Sequence, residues 1–133
     1  MFDILEDNLL RRPGGLDCTE DVVVESPFAP PGQPKRYEGR EEFLSATRDS
    51  RETLPVRFEE VRRRAMHETT DPEVYVFEYD LVGTVLTSGK RASAAFVVVA
   101  RIRDGLIVHW REYGDTLAMA EALGQLPQAT GKY

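Results

Sequence analysis

After Pro55 the chain becomes four stretches rich in β-branched and aromatic residues, joined by links too short to hold a helix. They run over residues 56–69, 74–86, 90–103 and 106–113, with turns at Asp71-Pro72, Ser88-Gly89 and Asp104-Gly105. Links this short join antiparallel strands. The first three stretches far exceed the usual strand of about five or six residues. Long strands twist and coil, so a sheet made of them curls. Whatever else the chain forms must pack against that curled sheet.

The preceding part reads mainly as helices. Residues 3–12 have Asp3 as a cap, Ile4, Leu5, Leu9 and Leu10 near helical spacing, and Pro13-Gly14-Gly15 as a stop. Leu16 to Glu20 adds a further helical turn, and Asp21 to Glu25 reads as a strand. Pro27, Pro30, Pro31, Gly32 and Pro34 force an irregular loop, which reads as packed because it also holds Phe28 and Ala29. Residues 39–52 form the second main helix. Asp115-Thr116 caps a closing helix over 117–123, stopped by Gly124, and 125–133 reads as a loose tail. Helices first and long strands after give an α+β fold, with N-terminal helices packed on one face of a strongly curved antiparallel sheet. At 133 residues this is one domain, taken as residues 1–124. A curled sheet closed by helices encloses a cavity.

Alternation along the strands says what faces that cavity. Tyr75, Phe77, Tyr79, Leu81 and Gly83 form one set, Ala94, Phe96, Val98 and Ala100 a second, and Val108, Trp110, Glu112 and Gly114 a third. Joined on one face, they are aromatic and apolar apart from Glu112. Burial disfavours a charged carboxylate and raises its pKa, which suits general acid–base chemistry. Equally, Glu112 at a strand end can be solvated or paired with an arginine. The opposite face carries Glu78 and Asp80 against Arg101, Arg103 and Arg111, expected to pair across strands. Val76, Val82, Val97, Val99 and Ile107 make it partly apolar, so a second copy of the chain is expected to cover it as a homodimer.

Several functions are excluded or disfavoured. A net charge of −6, from 23 acidic and 17 basic residues, argues against gripping a nucleic-acid backbone. Arg62-Arg63-Arg64 is split between faces by the strand period and reads as solvated. His67 and His109 lack metal-ligand spacing, and Cys18 is alone, so no metal site or intrachain disulfide is expected. Ser45, Ser88 and Ser93 lack a nucleophile-elbow context, and no phosphate-loop or dinucleotide fingerprint occurs, so no cofactor is expected. No apolar run approaches the ~20 residues of a membrane span, and the acidic start is unlike a signal peptide, so the expected location is the cytoplasm.

Glu20-Asp21-Val22-Val23-Val24-Glu25-Ser26-Pro27-Phe28-Ala29-Pro30-Pro31, then Tyr37-Glu38-Gly39-Arg40, resemble the nuclear transport factor 2-like superfamily in its bacterial SnoaL-like branch. So do Arg103-Asp104-Gly105-Leu106-Ile107-Val108 and Trp110-Arg111-Glu112-Tyr113-Gly114-Asp115. The resemblance implies a cone-shaped, cystatin-like α+β barrel, often dimeric through the outer face of its sheet. Similarity to ketosteroid isomerase puts that enzyme's base aspartate on Ser26 and its protonated oxyanion-hole aspartic acid on Val98. Both acids are missing, so that mechanism cannot operate unchanged. Similarity to limonene-epoxide hydrolase puts its C-terminal aspartate, which activates water, on Glu112. Its paired arginine and aspartate fall on Tyr79 and Leu81, and its water-holding tyrosine and asparagine on Val24 and Ser26. One acid is kept as a glutamate and its partner acid is not.

The resemblance thus implies a cofactor-free enzyme moving protons on a small hydrophobic metabolite by cyclisation, isomerisation or epoxide opening. Glu112 would be the general acid/base and Tyr79 a hydrogen-bond donor. Ser26, Phe28, Phe77, Leu81, Phe96, Val98 and Trp110 would bind the substrate. Fold alone does not decide chemistry. A non-catalytic ligand-binding or interaction module, or a dimeric scaffold filled by its own side chains, fits the same residues.

Overall fold

The computed structural model describes residues 1–10, 17–53 and 55–124, with the backbone alone for 48–53. Its elements in chain order are α1 (Phe2–Leu10), β1 (Cys18–Glu25), β2 (Arg36–Glu38), α2 (Arg40–Thr53), β3 (Val56–Glu68), β4 (Val74–Val85), β5 (Arg91–Arg103), β6 (Leu106–Gly114) and α3 (Thr116–Ala122). The six strands form one curved sheet ordered β2-β1-β6-β5-β4-β3, and three helices pack against it. The expected α+β architecture is therefore present. The stop at Pro13-Gly14-Gly15 and the tail over 125–133 lie outside the described residues.

Four long strands follow one another as a meander, as their turn chemistry requires. Asp104 and Gly105 both take positive φ, 52° and 77°, the backbone of a tight hairpin turn whose twist matches its strands. The start of the chain differs from expectation. Cys18 to Glu20 extends β1 and makes no helical turn. β1 also runs parallel to β6, with Val24 opposite Trp110, so the first strand lies beside the last. Backbone bonds to a sheet neighbour outweigh the weak local preference of a short mixed segment.

Register confirms most of the face assignment. One row across the sheet reads Tyr75, Ala100, Trp110, Val24, Tyr37; the next reads Phe77, Val98, Glu112; the next Tyr79, Phe96, Gly114. Apart from half-buried Tyr75, Tyr37, Glu112 and Gly114, these residues are buried. One assignment reverses. Ile107, expected outside, is fully buried in the core with Ile102, while Val108, expected inside, is half-buried. Arg101 faces His109 and Ile102 faces Ile107, so Val108 is one residue too many on its strand. Such a bulge flips the alternation on one side of it. Two further register shifts in β3, at Phe58/Glu60 and Arg63/Ala65, fall in the strand that bounds the sheet.

The outer face is rich in ion pairs, but with other partners than expected. Glu78 meets His67 at 2.6 Å and Asp80 meets Arg64 at 2.6 Å, both from β3. Arg101 instead bonds Asp71 and Glu73 in the β3–β4 turn, each at 2.9 Å, and Arg103 bonds Glu73 at 2.7 Å. Register explains this: Glu78 and Asp80 lie opposite Val97 and Ala95, whereas Arg101 lies opposite Val74 beside the turn. Within Arg62-Arg63-Arg64, Arg63 turns toward α1, pairs with Glu6, bonds Asp3 at 2.7 Å and covers the Phe2 ring at 5.3 Å.

The helices close the inner face. α1 buries Phe2, Leu5, Asn8 and Leu9, with Phe2 edge-on to Phe77 at 5.1 Å between centroids. α2 lies over β1 and β2 and follows Gly39, whose positive φ of 95° turns the chain. α3 lies against β5, with Asp115 capping it by accepting the Ala118 amide at 3.0 Å. Among the described residues no helix is long and apolar enough to cross a membrane.

Candidate functional site

Glu112 projects from β6 opposite Val98, two residues after Trp110, whose indole Nε1 donates to its Oε1 at 3.4 Å. The carboxylate borders a cavity of about 160 Å³ between the sheet and the first two helices. The sheet supplies Val24, Tyr37 and Trp110 to its wall, Ser26 joins it just after β1, α1 supplies Asn8 and Leu9, and α2 supplies Phe43 and Thr47. Tyr37 stands edge-on to Phe43 at 5.9 Å. Asn8 is 3% exposed and tightly fixed: its Nδ2 donates to the Ile4 carbonyl at 2.7 Å, and its Oδ1 accepts the Asp17 amide at 2.6 Å.

A second cavity of about 170 Å³ shares Ser26, Tyr37 and Glu112 with the first. Those three side chains therefore stand where the two spaces adjoin. The Pro-rich loop forms its outer wall through Phe28, Pro30, Gln33 and Pro34, and Phe96, Gly114 and Met119 form its inner one. A third space, about 100 Å³ and lined by apolar groups under α3, shares Phe96 and Met119 with the second.

These spaces sort the residues singled out from the sequence. Glu112, Ser26 and Trp110 meet in the first cavity. Phe28 and Phe96 border the second; Phe28 is 61% exposed and lies edge-on to Tyr113 at 5.2 Å, so it sits at the rim. Leu81 borders only the third. Phe77, Tyr79 and Val98 are fully buried and border none of the three. Tyr79 is two strands away from Glu112, with its ring stacked on Phe96 at 5.6 Å and 8°. Tyr79, expected as a hydrogen-bond donor beside Glu112, is thus not among the residues lining the cavity that Glu112 borders. Tyr37 supplies the hydroxyl-bearing ring there instead.

Asn8, Tyr37, Phe43 and Thr47 were not reached from the sequence as site residues. Tyr37 comes from a strand of only three residues, too short to establish a period, and the helices carry their polar residues on partly buried faces. A register argument would have found Tyr37 once β2 was paired with β1, because it stands opposite Val24.

The other titratable groups lie elsewhere. His109, on the outer face, bonds Glu25 at 2.6 Å, and that bond holds the Glu25 carboxyl below its ordinary value. Cys18 is buried, and burial pushes its thiol up, so it behaves as a small apolar residue. Among the described residues no three His, Cys, Asp or Glu side chains gather where they would hold a metal ion.

Residues 17–110 match the model of the SnoaL-like domain. The chain belongs to the SnoaL-like domain family. It is 37% identical, over 80% of its length and 74% of the relative's, to an uncharacterized PhzA/B-like protein of Pseudomonas aeruginosa. A proposed isomerase from Bacillus subtilis has a solved structure similar to it, with a TM-score of 0.73 and 28% identity over 82% of this chain and 77% of that one. A phenazine biosynthesis-related protein of P. aeruginosa shares the fold, with a TM-score of 0.62 and 22% identity over 96% of this chain and 76% of that one. Within this SnoaL-like chain, the matched stretch ends two residues before Glu112 and begins after α1. The groups closing both ends of the first cavity thus lie outside it, and family membership leaves their roles to be argued from geometry.

Proposed function

We propose that this SnoaL-like protein catalyses proton transfer on a small hydrophobic metabolite, in a cyclisation or isomerisation, with Glu112 as general acid/base. The observation that carries this reading is the position of Glu112, a half-buried carboxylate where two cavities adjoin, beside the hydroxyl-bearing residues Tyr37 and Ser26. A carboxylate there can take a proton from a carbon next to a carbonyl. The electron pair moves onto the carbonyl oxygen, and a hydrogen bond from Tyr37 stabilises the enolate. Return of the proton to a different carbon gives an isomer, and attack of the enolate carbon on a second carbonyl gives a ring. The isomerase and phenazine-related descriptions of the relatives fit this class of chemistry.

Deuterium exchange tests this without a known substrate. Apolar cyclic ketones in D2O exchange their α-protons when a base removes them, which ¹H NMR reads directly. The wild type is expected to accelerate exchange, and Glu112→Gln to lose about 10²–10⁴-fold of that acceleration while keeping its fold. Ketone binding with no exchange above background would instead mean a binding module.

The same reading takes the protein as a homodimer through the outer face of the sheet, where half-buried Val76, Val97 and Val99 lie among the ion pairs. Sedimentation equilibrium checks this, and a monomer mass at all concentrations would refute it.

A further inference from the structure

The Pro-rich loop between β1 and β2 is fastened at its neck. There the Ser26 amide donates to the Lys35 carbonyl at 2.8 Å, where the β1–β2 ladder ends at Glu25 and Arg36. Two further backbone bonds are local turns, from Ala29 to Ser26 at 3.0 Å and from Gln33 to Pro30 at 3.1 Å. Among the described residues no hydrogen bond or ion pair joins residues 27–34 to anything beyond the neck. Apolar contact, led by the Phe28–Tyr113 ring pair at 5.2 Å, is left to hold the loop down. Phe28 is mostly exposed, so burial contributes little to seating its ring. Pro27, Pro30, Pro31 and Pro34 fix φ along the loop. A segment stiff along its length and tied at its ends swings as one body about those ends. This one forms the outer wall of the second cavity, which Glu112 borders.

We propose that residues 27–34 are the entrance lid of the site and that Phe28 latches the lid onto Tyr113. Opening turns the loop about Ser26 and Lys35 and parts one edge-on ring pair. It lifts Phe28, Pro30, Gln33 and Pro34 away from Phe96, Gly114 and Met119 on the opposite wall. That uncovers Glu112, Ser26 and Tyr37, where the two cavities adjoin, and beyond them Trp110 in the first. A ring pair of this kind shifts a two-state population by about two- to tenfold, so it holds the lid without locking it. The lid serves access alone and is independent of which reaction Glu112 performs.

Trp110 reads the lid without a ligand, because it is the sole tryptophan, is 6% exposed and stands in the wall of the first cavity. Exchange of its indole N–H in D2O is followed by ¹H NMR on the full chain. When the lid closes faster than the proton exchanges, the rate scales with the open population. The wild type is expected to exchange well below the rate of free indole. Phe28→Ala and Tyr113→Leu should each speed exchange by about two- to tenfold. Phe28→Tyr keeps the ring and should exchange like the wild type. The Phe28→Ala, Tyr113→Leu double variant should exchange no faster than the faster single one, since both remove the same contact. Leu86→Ala truncates a similarly exposed apolar side chain just after β4 and should change nothing. Urea midpoints measured alongside separate lid opening from global unfolding and should stay close to wild type. Wild-type exchange at the free-indole rate, a Phe28→Ala rate equal to wild type, or single effects that multiply in the double variant would overturn the lid. So would faster exchange in Leu86→Ala, or a rise in the latch variants that follows a fall in midpoint.

Discussion

Gly114 is the position where one added carbon should report most directly on how the inner face is packed. It ends β6 opposite Phe96 and has no positive φ, so alanine there carries no left-handed strain. A Cβ at 114 would stand 2.6 Å from Phe96 Cε1, 3.0 Å from Cδ1 and 3.3 Å from Met119 Cε. Carbon atoms rest at about 3.5–4.0 Å, so the ring must retreat by roughly 1 Å. The fully buried Tyr79 ring is stacked on Phe96 at 5.6 Å and restricts that retreat, which leaves the space under α3 as the outlet. Overpacking of this kind costs about 1–3 kcal/mol. For a domain of this size that lowers Tm by roughly 4–10 °C. Urea unfolding followed by the fluorescence of Trp110, the sole tryptophan, gives the number. The assignment to Phe96 needs the double variant. Gly114→Ala with Phe96→Leu should be more stable than the two single costs predict, by about 1 kcal/mol. A single variant within about 0.5 kcal/mol of wild type, or additive costs in the double, would refute the reasoning.

Three further outcomes follow from named contacts. Asn8→Ala removes the acceptor of the Asp17 amide and the donor to Ile4, and should cost about 1–3 kcal/mol in chemical denaturation; no loss would mean that these bonds do not hold α1 to the start of β1. Tyr37→Phe should slow ketone α-exchange by about 10²-fold with Tm unchanged, and a rate equal to wild type would remove Tyr37 from the mechanism. The bonds from Arg103 and then Arg101 hold the Glu73 carboxyl at about 2, below the roughly 4.3 of an unfolded chain. Between those values the unfolded state binds more protons, so the Glu73 contribution is complete above the unfolded value and is lost as pH falls through 2. Glu73→Gln should therefore flatten Tm against pH in that window; curves that stay parallel to wild type would contradict the pairing.

The meander was legible because its signals are repeated and local. Alternation over many residues fixes a strand and its faces, and Asp104-Gly105 fixes a turn, since both take the positive φ that the hairpin demands. The Val108 bulge was not legible, because one extra residue leaves the apolar pattern intact while reversing which of Ile107 and Val108 is buried. The parallel pairing of β1 with β6 was not legible either, since nothing local in Cys18–Glu25 encodes a partner more than eighty positions away.

The site divides along the same line. Glu112, Trp110 and Phe96 lie on long strands and could be assigned to the inner face by counting. Counting also gave Tyr79 the same face as Glu112, but a face is not a cavity. Along a row, Tyr79 is followed by Phe96 and then Gly114, and the missing side chain at 114 lets the Phe96 ring lean over β6 while Tyr79 stacks on it. The space around Glu112 is instead made by what covers the sheet: Asn8 and Leu9 from α1, Phe43 and Thr47 from α2, and Tyr37 from the strand beside β1. Those elements are short, and their placement depends on long-range contacts that strand periodicity does not contain. A carboxylate on a regular strand, enclosed by covering elements, is free to keep its position while its surroundings change. Substrate selection should then follow the covering residues of α1, α2, α3 and the Pro-rich loop, and substitutions there should alter which ketones bind more than whether Glu112 can move a proton.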